Sequence, residues 1–219
     1  MIRADPPFQS NPWLKFPRVY ALTDIGLSRL SHAEQVELLS AGGAELIQLR
    51  EKDLPARELY EQAKMAVAVA ARHGVQLIIN DRVDVALAVG AAGVHLGQDD
   101  MPPEAARKLL GPRAVIGYST HNIEQAIAAT RLPIDYLAIG PIFATTSKSD
   151  TAPVLGLERL RTVRQATGSF PLVAIGGITH ANARAVIQAG ADSVAVISTL
   201  LSDPTRITES TRQLIVELD

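Results

Sequence analysis

The sequence predicts a single (β/α)8 barrel, because short apolar segments alternate along it with longer segments of helical periodicity. Most of the short segments are continuous apolar runs, as expected of parallel strands that are covered on both faces. No break in composition divides the alternation into two domains. The eight predicted strands are residues 18–23, 45–50, 75–80, 93–97, 114–119, 135–140, 171–176 and 193–198.

The segments between the predicted strands carry helix-boundary signals. Ser31 is followed three residues later by Glu34, which is a capping-box pattern, and the same segment ends on Gly42. Glycines close later segments at Gly74 and Gly190 in the same way. The order of helix end, glycine, short turn and strand therefore recurs, as expected of repeated βα units.

A doubly wound sheet is the alternative architecture. It usually has fewer strands and a glycine-rich loop after the first one, but residues 20–28, YALTDIGLS, contain no such loop. We therefore assign residues 18–219 to the barrel. Residues 1–17 are predicted to form an irregular arm, with Trp13 and Phe16 packed on the barrel.

Composition excludes several classes of protein. The chain has no cysteine, which excludes a disulfide framework, a thiolate nucleophile and a zinc ribbon. Its net charge of -2, with acids and bases interspersed, argues against non-specific nucleic-acid binding. The sequence contains neither an apolar run long enough to span a membrane nor a secretory signal. We expect a cytoplasmic protein with small-molecule ligands, possible homo-oligomers, and no nucleic-acid or membrane partner.

Polar residues crowd the carboxyl ends of the predicted strands, where the active sites of barrels lie. After the second strand, Gln48, Arg50 and Lys52 alternate, so they share one face of an extended segment. An amide, a guanidinium and an ammonium on one face suit a polyanion. In the alternative interpretation, Arg50 and Lys52 pair with Glu51 or Asp53 on a solvated loop.

Carboxylates follow the next two strands. Asp81 leaves the third strand, and Asp99 and Asp100 leave the fourth, so side chains from adjacent exits can reach one ion. Two carboxylates beside cationic residues suit Mg²⁺, which shares its ligand shell with water and substrate phosphates. Alternatively, each aspartate caps the helix that follows it. A glycosidase-like acid–base pair fits poorly with the basic neighbours.

Two further regions could bind phosphate. The loop at 144–153 offers Thr145, Thr146, Ser147 and Lys148 to an anion, unless it is an ordinary surface loop. The exits of the seventh and eighth strands are the usual phosphate site of this fold. There, Gly176 and Gly177 and the residues Ile197 and Ser198 present backbone N–H groups, unless the glycines only form a tight turn.

The histidines give a weaker signal. His32, His73 and His180 stand at predicted helix ends, and we expect them on the surface. His95 lies within the fourth strand and is expected to be a hydrogen-bonded core residue. His121 follows the fifth strand and is either a catalytic base or a neighbour of the next helix cap.

Seven segments, taken together and in order, resemble the thiamine-phosphate synthase family. They are QLREK (48–52), NDR (80–82), GVHLGQDDMP (93–102), STHN (119–122), GPIFATTSK (140–148), AIGGI (174–178) and AVIS (195–198). The resemblance covers residues 20 to 201, nearly the whole predicted barrel. It implies a Mg²⁺-dependent transferase that joins hydroxymethylpyrimidine diphosphate to thiazole phosphate, releasing thiamine phosphate and pyrophosphate.

The resemblance also implies roles for individual residues. Pyrimidine diphosphate would be held by Gln48, Leu49, Arg50, Glu51, Lys52, Asn80, Ser119 and Lys148, of which Arg50, Lys52, Ser119 and Lys148 would be catalytic. Mg²⁺ would be ligated by Asp81 and Asp100. The thiazole phosphate would be held by Thr145, Thr146, Ser147, Gly177, Ile197 and Ser198. Ser147 departs from the threonine common at this position but keeps the hydroxyl group.

Two other functions remain compatible with a barrel that binds phosphate. One is the sister thiazole tautomerase, which performs only proton transfer and for which His121 would be the candidate base. The other is a non-catalytic sensor of a phosphate ligand. The full set of Gln48, Arg50, Lys52 and the two aspartates favours the synthase, because neither alternative requires a diphosphate and metal site.

Overall fold

A computed structural model describes residues 16–145 and 153–219 and shows a closed barrel of parallel strands, ordered β1 to β8 around the ring. The predicted fold class is thus confirmed. Each strand lies within its predicted segment, except that β5 extends one residue further. The strands are β1 (Val19–Leu22), β2 (Leu46–Leu49), β3 (Gln76–Asn80), β4 (Gly93–Leu96), β5 (Val115–Thr120), β6 (Tyr136–Ile139), β7 (Leu172–Ile175) and β8 (Ser193–Val196).

Helices connect consecutive strands over the outside of the barrel, and a short 3-10 turn (Pro204–Arg206) precedes the last helix. No helix within the described ranges has the length and apolar character needed to cross a membrane. The helices are α1 (Ile25–Ser28), α2 (His32–Ala41), α3 (Ala56–His73), α4 (Val83–Val89), α5 (Pro103–Leu110), α6 (Ile123–Ala129), α7 (Gly156–Thr167), α8 (His180–Gln188), α9 (Ser198–Leu201) and α10 (Ile207–Leu218).

The predicted helix boundaries of α2 are confirmed. Ser31 and Glu34 form a reciprocal capping box, in which each side chain accepts from the backbone N–H group of the other residue. The helix ends at Gly42, where a Cβ would lie 2.6 Å from the Cβ of Thr211 in α10. Glycine at this position therefore lets α2 and α10 pack closely together.

A chain of hydrogen bonds crosses the interior of the barrel. The hydroxyl groups of Tyr20 in β1 and Tyr136 in β6 lie 2.9 Å apart, and both side chains are fully buried. The Phe16 ring packs edge-on against Tyr136, with 5.0 Å between ring centroids. The N-terminal arm as a whole stays a prediction, because residues 1–15, including Trp13, lie outside the described ranges.

Candidate active site

A cavity of about 350 Å³ opens at the carboxyl ends of the strands. Its wall is formed mainly by the ends of β2, β3, β4 and β5 and by the loops that follow them. The barrel thereby brings together residues as far apart in the sequence as Tyr20 and Ala195. The predicted site residues that line the cavity are Gln48, Arg50, Lys52, Asn80, Asp81, Asp100 and Ser119.

The two cations of the loop after β2 point toward acidic groups from neighbouring strands. The Arg50 guanidinium lies 3.5 Å from Oδ2 of Asp24, which follows β1. The Lys52 ammonium lies 3.6 Å from Oδ2 of Asp81, which follows β3. The alternative pairing with Glu51 or Asp53 is therefore wrong. These acids hold both cations at the cavity wall, and both ion pairs are long.

Leu49 and Glu51 do not contribute to the described wall of the cavity. The Leu49 side chain is buried in the core between barrel and helices. Oε1 of Glu51 accepts hydrogen bonds from the backbone N–H groups of Lys52 (2.8 Å) and Asp53 (2.9 Å). Glu51 therefore organises the loop from within.

Asp81 occupies an uncommon backbone conformation. Its φ angle is 61°, in the left-handed region that few residues other than glycine, asparagine and aspartate adopt. The next helix, α4, is preceded by Arg82 and has no side-chain cap in the described structure, so the interpretation of Asp81 as a helix cap is wrong. The backbone N–H of Asp81 donates to the carbonyl of His95 (2.8 Å), which ties the exits of β3 and β4 together.

The carboxylates of Asp81 and Asp100 lie side by side. Burial and the nearby Asp100 carboxylate raise the pKa of Asp81, while the Lys52 ammonium lowers this pKa. Oδ2 of Asp100 accepts from the backbone N–H of Gly97 at 2.6 Å. Neither Asp99 nor Asp100 caps α5, which begins after Pro102 without a side-chain cap in the described structure.

This donor set fits a divalent cation. Two adjacent carboxylates, one with a raised pKa, repel each other, and a cation between them removes that repulsion. Within residues 16–145 and 153–219, no group of three or more histidine and acidic side chains is placed to hold a metal ion. A resident ion would therefore depend on water and substrate oxygens for its other ligands, as Mg²⁺ commonly does.

Polar side chains of β3, β4 and β5 also line the cavity. Ser119 Oγ lies 2.8 Å from Nε2 of His95, and Nδ1 of His95 lies 2.9 Å from the Tyr136 hydroxyl. The prediction of His95 as a hydrogen-bonded, buried residue is confirmed. Asn80 lines the cavity, and its buried Nδ2 has no hydrogen-bond partner within the described ranges, so a ligand could supply one.

His121 lies at the cavity wall, after β5. Its Nδ1 lies 2.9 Å from the carbonyl oxygen of Gly140, which can only accept a hydrogen bond. In the neutral ring Nδ1 therefore carries the proton and Nε2 the lone pair. The next residue, Asn122, caps α6 as predicted. Both interpretations of His121 thus remain compatible with its position.

The glycine pair after β7 lets two loops approach each other closely. Gly176 and Gly177 have φ angles of 103° and 62°. A Cβ on Gly177 would lie 2.4 Å from the carbonyl oxygen of Ala144, in the loop after β6. The glycines therefore do form a tight turn. This turn is also compatible with phosphate binding by their backbone N–H groups.

Gly177, Ile197 and Ser198, which are predicted to hold the thiazole phosphate, do not line the described cavity, although Ile175 of β7 and Ala195 of β8 do. Ile197 and Ser198 directly follow β8, at the start of α9. In a closed ring of eight strands, β7 and β8 lie across the mouth from β3 and β4. Of the predicted loop residues, Thr145 is described, whereas Thr146, Ser147 and Lys148 lie outside the described residues.

The prediction that His32 is a surface residue is wrong, because its side chain is completely buried. The segment around Glu51 covers the start of α2, and sequence position alone gave no sign of this contact. His73 is exposed and His180 partly exposed, in accord with prediction.

Comparison with known proteins identifies the family. The family model described as thiamine monophosphate synthase matches residues 19–200. The chain belongs to this family. It is 50% identical over 198 residues to the thiamine-phosphate synthase of Chloroflexus aurantiacus, covering 90% of each protein. It is 52% identical to that of Koribacter versatilis, covering 87% of this chain and 92% of the relative.

A solved structure of the thiamine monophosphate synthase family supports the same assignment. The thiamine phosphate pyrophosphorylase from Pyrococcus furiosus is 39% identical and superposes with a TM-score of 0.81. The match covers 92% of this chain and 96% of that one. The family region contains every residue that the structure places at the cavity.

Sequence reasoning missed several residues at this cavity. The predicted site residues did not include Tyr20 and Gln98, which line the cavity. They also did not include Asp24, which contacts the cavity residue Arg50. Asp24 lies two residues after the end of β1. It could have been predicted as Asp81 was, from the expectation that polar residues following the strands lie at the active site. Tyr20 lies inside an apolar strand, and its partner Tyr136 is 116 residues away, so no local pattern marks it.

Proposed function

We propose that this chain is a thiamine-phosphate synthase, which joins hydroxymethylpyrimidine diphosphate to thiazole phosphate and releases pyrophosphate. One observation carries the proposal: Arg50 and Lys52 share a cavity with the adjacent carboxylates of Asp81 and Asp100. Two cations beside a pair of acids suit a diphosphate together with a divalent cation. The names of the relatives in the family support the same reaction.

The loop after β2 would bind the diphosphate. Arg50 and Lys52 are held at 3.5 Å and 3.6 Å from Asp24 and Asp81, so their ion pairs are long and can be exchanged for phosphate oxygens. The Arg50 guanidinium offers paired donors, and Lys52 supplies a mobile charge. Gln48 donates to the Tyr20 hydroxyl at 3.0 Å, which fixes its amide beneath these cations. Lys148 would join them from the loop after β6.

Asp81 and Asp100 would hold Mg²⁺. When bound, Mg²⁺ would neutralise charge on the departing pyrophosphate. The chain prepares the site in two ways: the left-handed turn at Asp81 directs its carboxylate toward the mouth, and the Gly97 N–H group fixes Asp100.

Asn80 and Ser119 would position the pyrimidine ring. The C–O bond to the diphosphate breaks, the aminopyrimidine supports the resulting benzylic-type cation, and the thiazole nitrogen captures it to form the C–N bond. Thr145, Thr146, Ser147, Gly177, Ile197 and Ser198 would anchor the thiazole phosphate and so hold that nitrogen within attack distance. The nucleophile belongs to the substrate, so the reaction requires no nucleophilic side chain.

A thiazole tautomerase is the second candidate, and the position of His121 at the cavity wall is the observation that favours it. Proton transfer alone gives no use to Arg50, Lys52 and the two carboxylates. The synthase therefore explains more of the site. A cytoplasmic location and any homo-oligomer stay predictions.

A two-substrate assay tests the proposal. The purified protein is incubated with both substrates and Mg²⁺, and pyrophosphate release is measured with and without EDTA. Release that requires both substrates and stops with EDTA is expected. Asp53→Asn serves as a control, because Asp53 is exposed and adjoins the same loop without lining the described cavity. Binding of thiazole phosphate without any release of pyrophosphate would refute the synthase in favour of a tautomerase or a sensor.

A further inference from the structure

His32, the first residue of α2, is completely buried although it carries two polar ring atoms. Its Nδ1 lies 2.7 Å from the Thr23 hydroxyl oxygen, and its Nε2 lies 3.5 Å from Oε2 of Glu51. Burying an imidazole is costly unless its nitrogens have partners. Both nitrogens face the loop that carries the two cavity cations.

The directions of these hydrogen bonds can be assigned. Thr23 Oγ1 accepts from the backbone N–H of Arg50 at 3.3 Å, and its own proton goes to the nearer of two acceptors. His32 Nδ1 is that acceptor at 2.7 Å, because the Glu51 carboxylate faces Nε2 and favours the ring proton there, and the Gln48 carbonyl at 3.4 Å is the weaker second acceptor. Nε2 then carries the ring proton and faces the Glu51 carboxylate at 3.5 Å, which is an electrostatic contact, since Nε2 has no hydrogen-bond partner within the described residues. Burial lowers the pKa of His32, more than the nearby Glu51 raises it, which favours this neutral ring.

The same contacts continue from Glu51 back to the loop. Oε1 of Glu51 accepts from the backbone N–H groups of Lys52 and Asp53. His32 therefore connects two points of one short segment: the backbone nitrogen of Arg50, through Thr23, and that of Lys52, through Glu51. The side chains of Arg50 and Lys52 project from this segment to the cavity.

We infer that His32 is a positioning residue that fixes the backbone of residues 50–53 so that Arg50 and Lys52 converge on one phosphate ligand. His32 itself does not contribute to the described cavity wall, so it acts through Thr23 and Glu51. The inference rests on the proposed function of this loop in diphosphate binding.

The test is a His32→Phe variant, which keeps the ring volume and removes both nitrogens. Binding of inorganic pyrophosphate with Mg²⁺ is measured by calorimetry, and KM is measured for each substrate. Loss of the hydrogen bond to Thr23 and of the electrostatic contact with Glu51 is expected to weaken pyrophosphate binding and raise KM for pyrimidine diphosphate by about tenfold. KM for thiazole phosphate is expected to stay unchanged, because its proposed anchor lies at β7 and β8.

Matched variants separate positioning from general damage. His32→Gln retains an amide that can donate to Glu51 and should recover part of the affinity for pyrophosphate. Thr211→Val removes another fully buried polar contact, the 2.7 Å bond to the Ile207 carbonyl, and should leave both KM values unchanged. Glu51→Ala interrupts the same connection from the loop side. It gives an independent measurement if His32→Phe does not fold.

Two outcomes decide the inference. If folded His32→Phe or Glu51→Ala binds pyrophosphate as tightly as the unaltered protein, His32 has no positioning role. If the double variant is no weaker than either single variant, the two residues act as one connection, as inferred. If the unaltered protein binds added pyrophosphate and yet forms none from the two substrates, the proposed function fails. In that case the comparison of pyrophosphate binding between the variants still tests the role of His32.

Discussion

The Arg107 guanidinium of α5 lies 2.8 Å from the carboxylate of Asp135, which is completely buried just before β6. The same carboxylate oxygen accepts from the backbone N–H of Ile116 in β5 at 2.7 Å. An equivalent pair, Arg164 and Asp192, connects α7 to the starts of β7 and β8. Both pairs lie at the amino ends of the strands, away from the cavity, where a barrel is stabilised rather than active.

Asp135→Ala is expected to lower the free energy of unfolding by about 3–5 kcal/mol, because it leaves a buried guanidinium without its carboxylate. Urea denaturation measures the change. Asp192→Ala is the matched control: the Asp192 side chain is 45% exposed, so its loss should cost clearly less. Activity per folded molecule should stay unchanged in both variants. Equal losses of stability would contradict the role assigned to burial.

Asp81→Asn is expected to abolish pyrophosphate release without loss of stability. Asparagine tolerates the left-handed φ of 61° and removes the repulsion from Asp100, but it is a poor ligand for Mg²⁺. Turnover and urea denaturation, measured side by side, check both halves. Asp53→Asn is the control, since Asp53 is exposed and does not line the described cavity. Retained turnover in Asp81→Asn would remove Asp81 from the catalytic site.

Gly177→Ala is expected to displace the loop after β6 and to raise KM for thiazole phosphate more than KM for pyrimidine diphosphate. The new Cβ would meet the Ala144 carbonyl oxygen at 2.4 Å, in addition to the strain of a positive φ. Gly74→Ala has a similar φ of 67° but nothing within 4 Å of the new Cβ. This control should cost only the strain, about 1 kcal/mol, and leave kinetics unchanged. Identical behaviour of the two variants would exclude the loop contact as the cause.

The buried His32 should make stability depend on pH. Burial lowers its pKa below the ordinary value of 6.5, so between these two values the unfolded chain binds a proton that the folded chain does not. The free energy of unfolding should therefore fall as pH decreases below that ordinary value. Urea denaturation between about pH 7 and about pH 5 measures the slope. His32→Phe should show a shallower slope, and an unchanged slope would assign the effect to other groups.

Local sequence predicted the features that neighbouring residues control. Apolar runs placed β2 and β7 to within a residue or two, since parallel strands covered on both faces need continuous apolar segments. The cap at Ser31 was readable because both partners of the capping box lie within one turn. Once a barrel was predicted, Arg50 and Asp81 could be placed at the same end of it, because both follow the carboxyl ends of strands.

Contacts between distant segments could not be predicted in this way. Local sequence placed His32 on the surface, because burial depends on what covers a residue, and the covering Glu51 stands nineteen positions later. The alternative in which Lys52 pairs with Glu51 or Asp53 failed for a related reason. Parallel pairing of β2 with β3 brings Asp81 to 3.6 Å from Lys52, so the nearest charge in space is not a neighbour in sequence.

The sequence by itself determined the eight βα units, their order and the strand ends that carry the polar and charged candidate site residues. These follow from periodicity and capping, which act over a few residues. Only the tertiary structure decided which charges meet, that Tyr20 contacts Tyr136 across the barrel, and that Asp81 stands beside Asp100. Closure of the barrel sets these distances, because it fixes the stagger of all eight strands at once, and no single segment encodes that stagger.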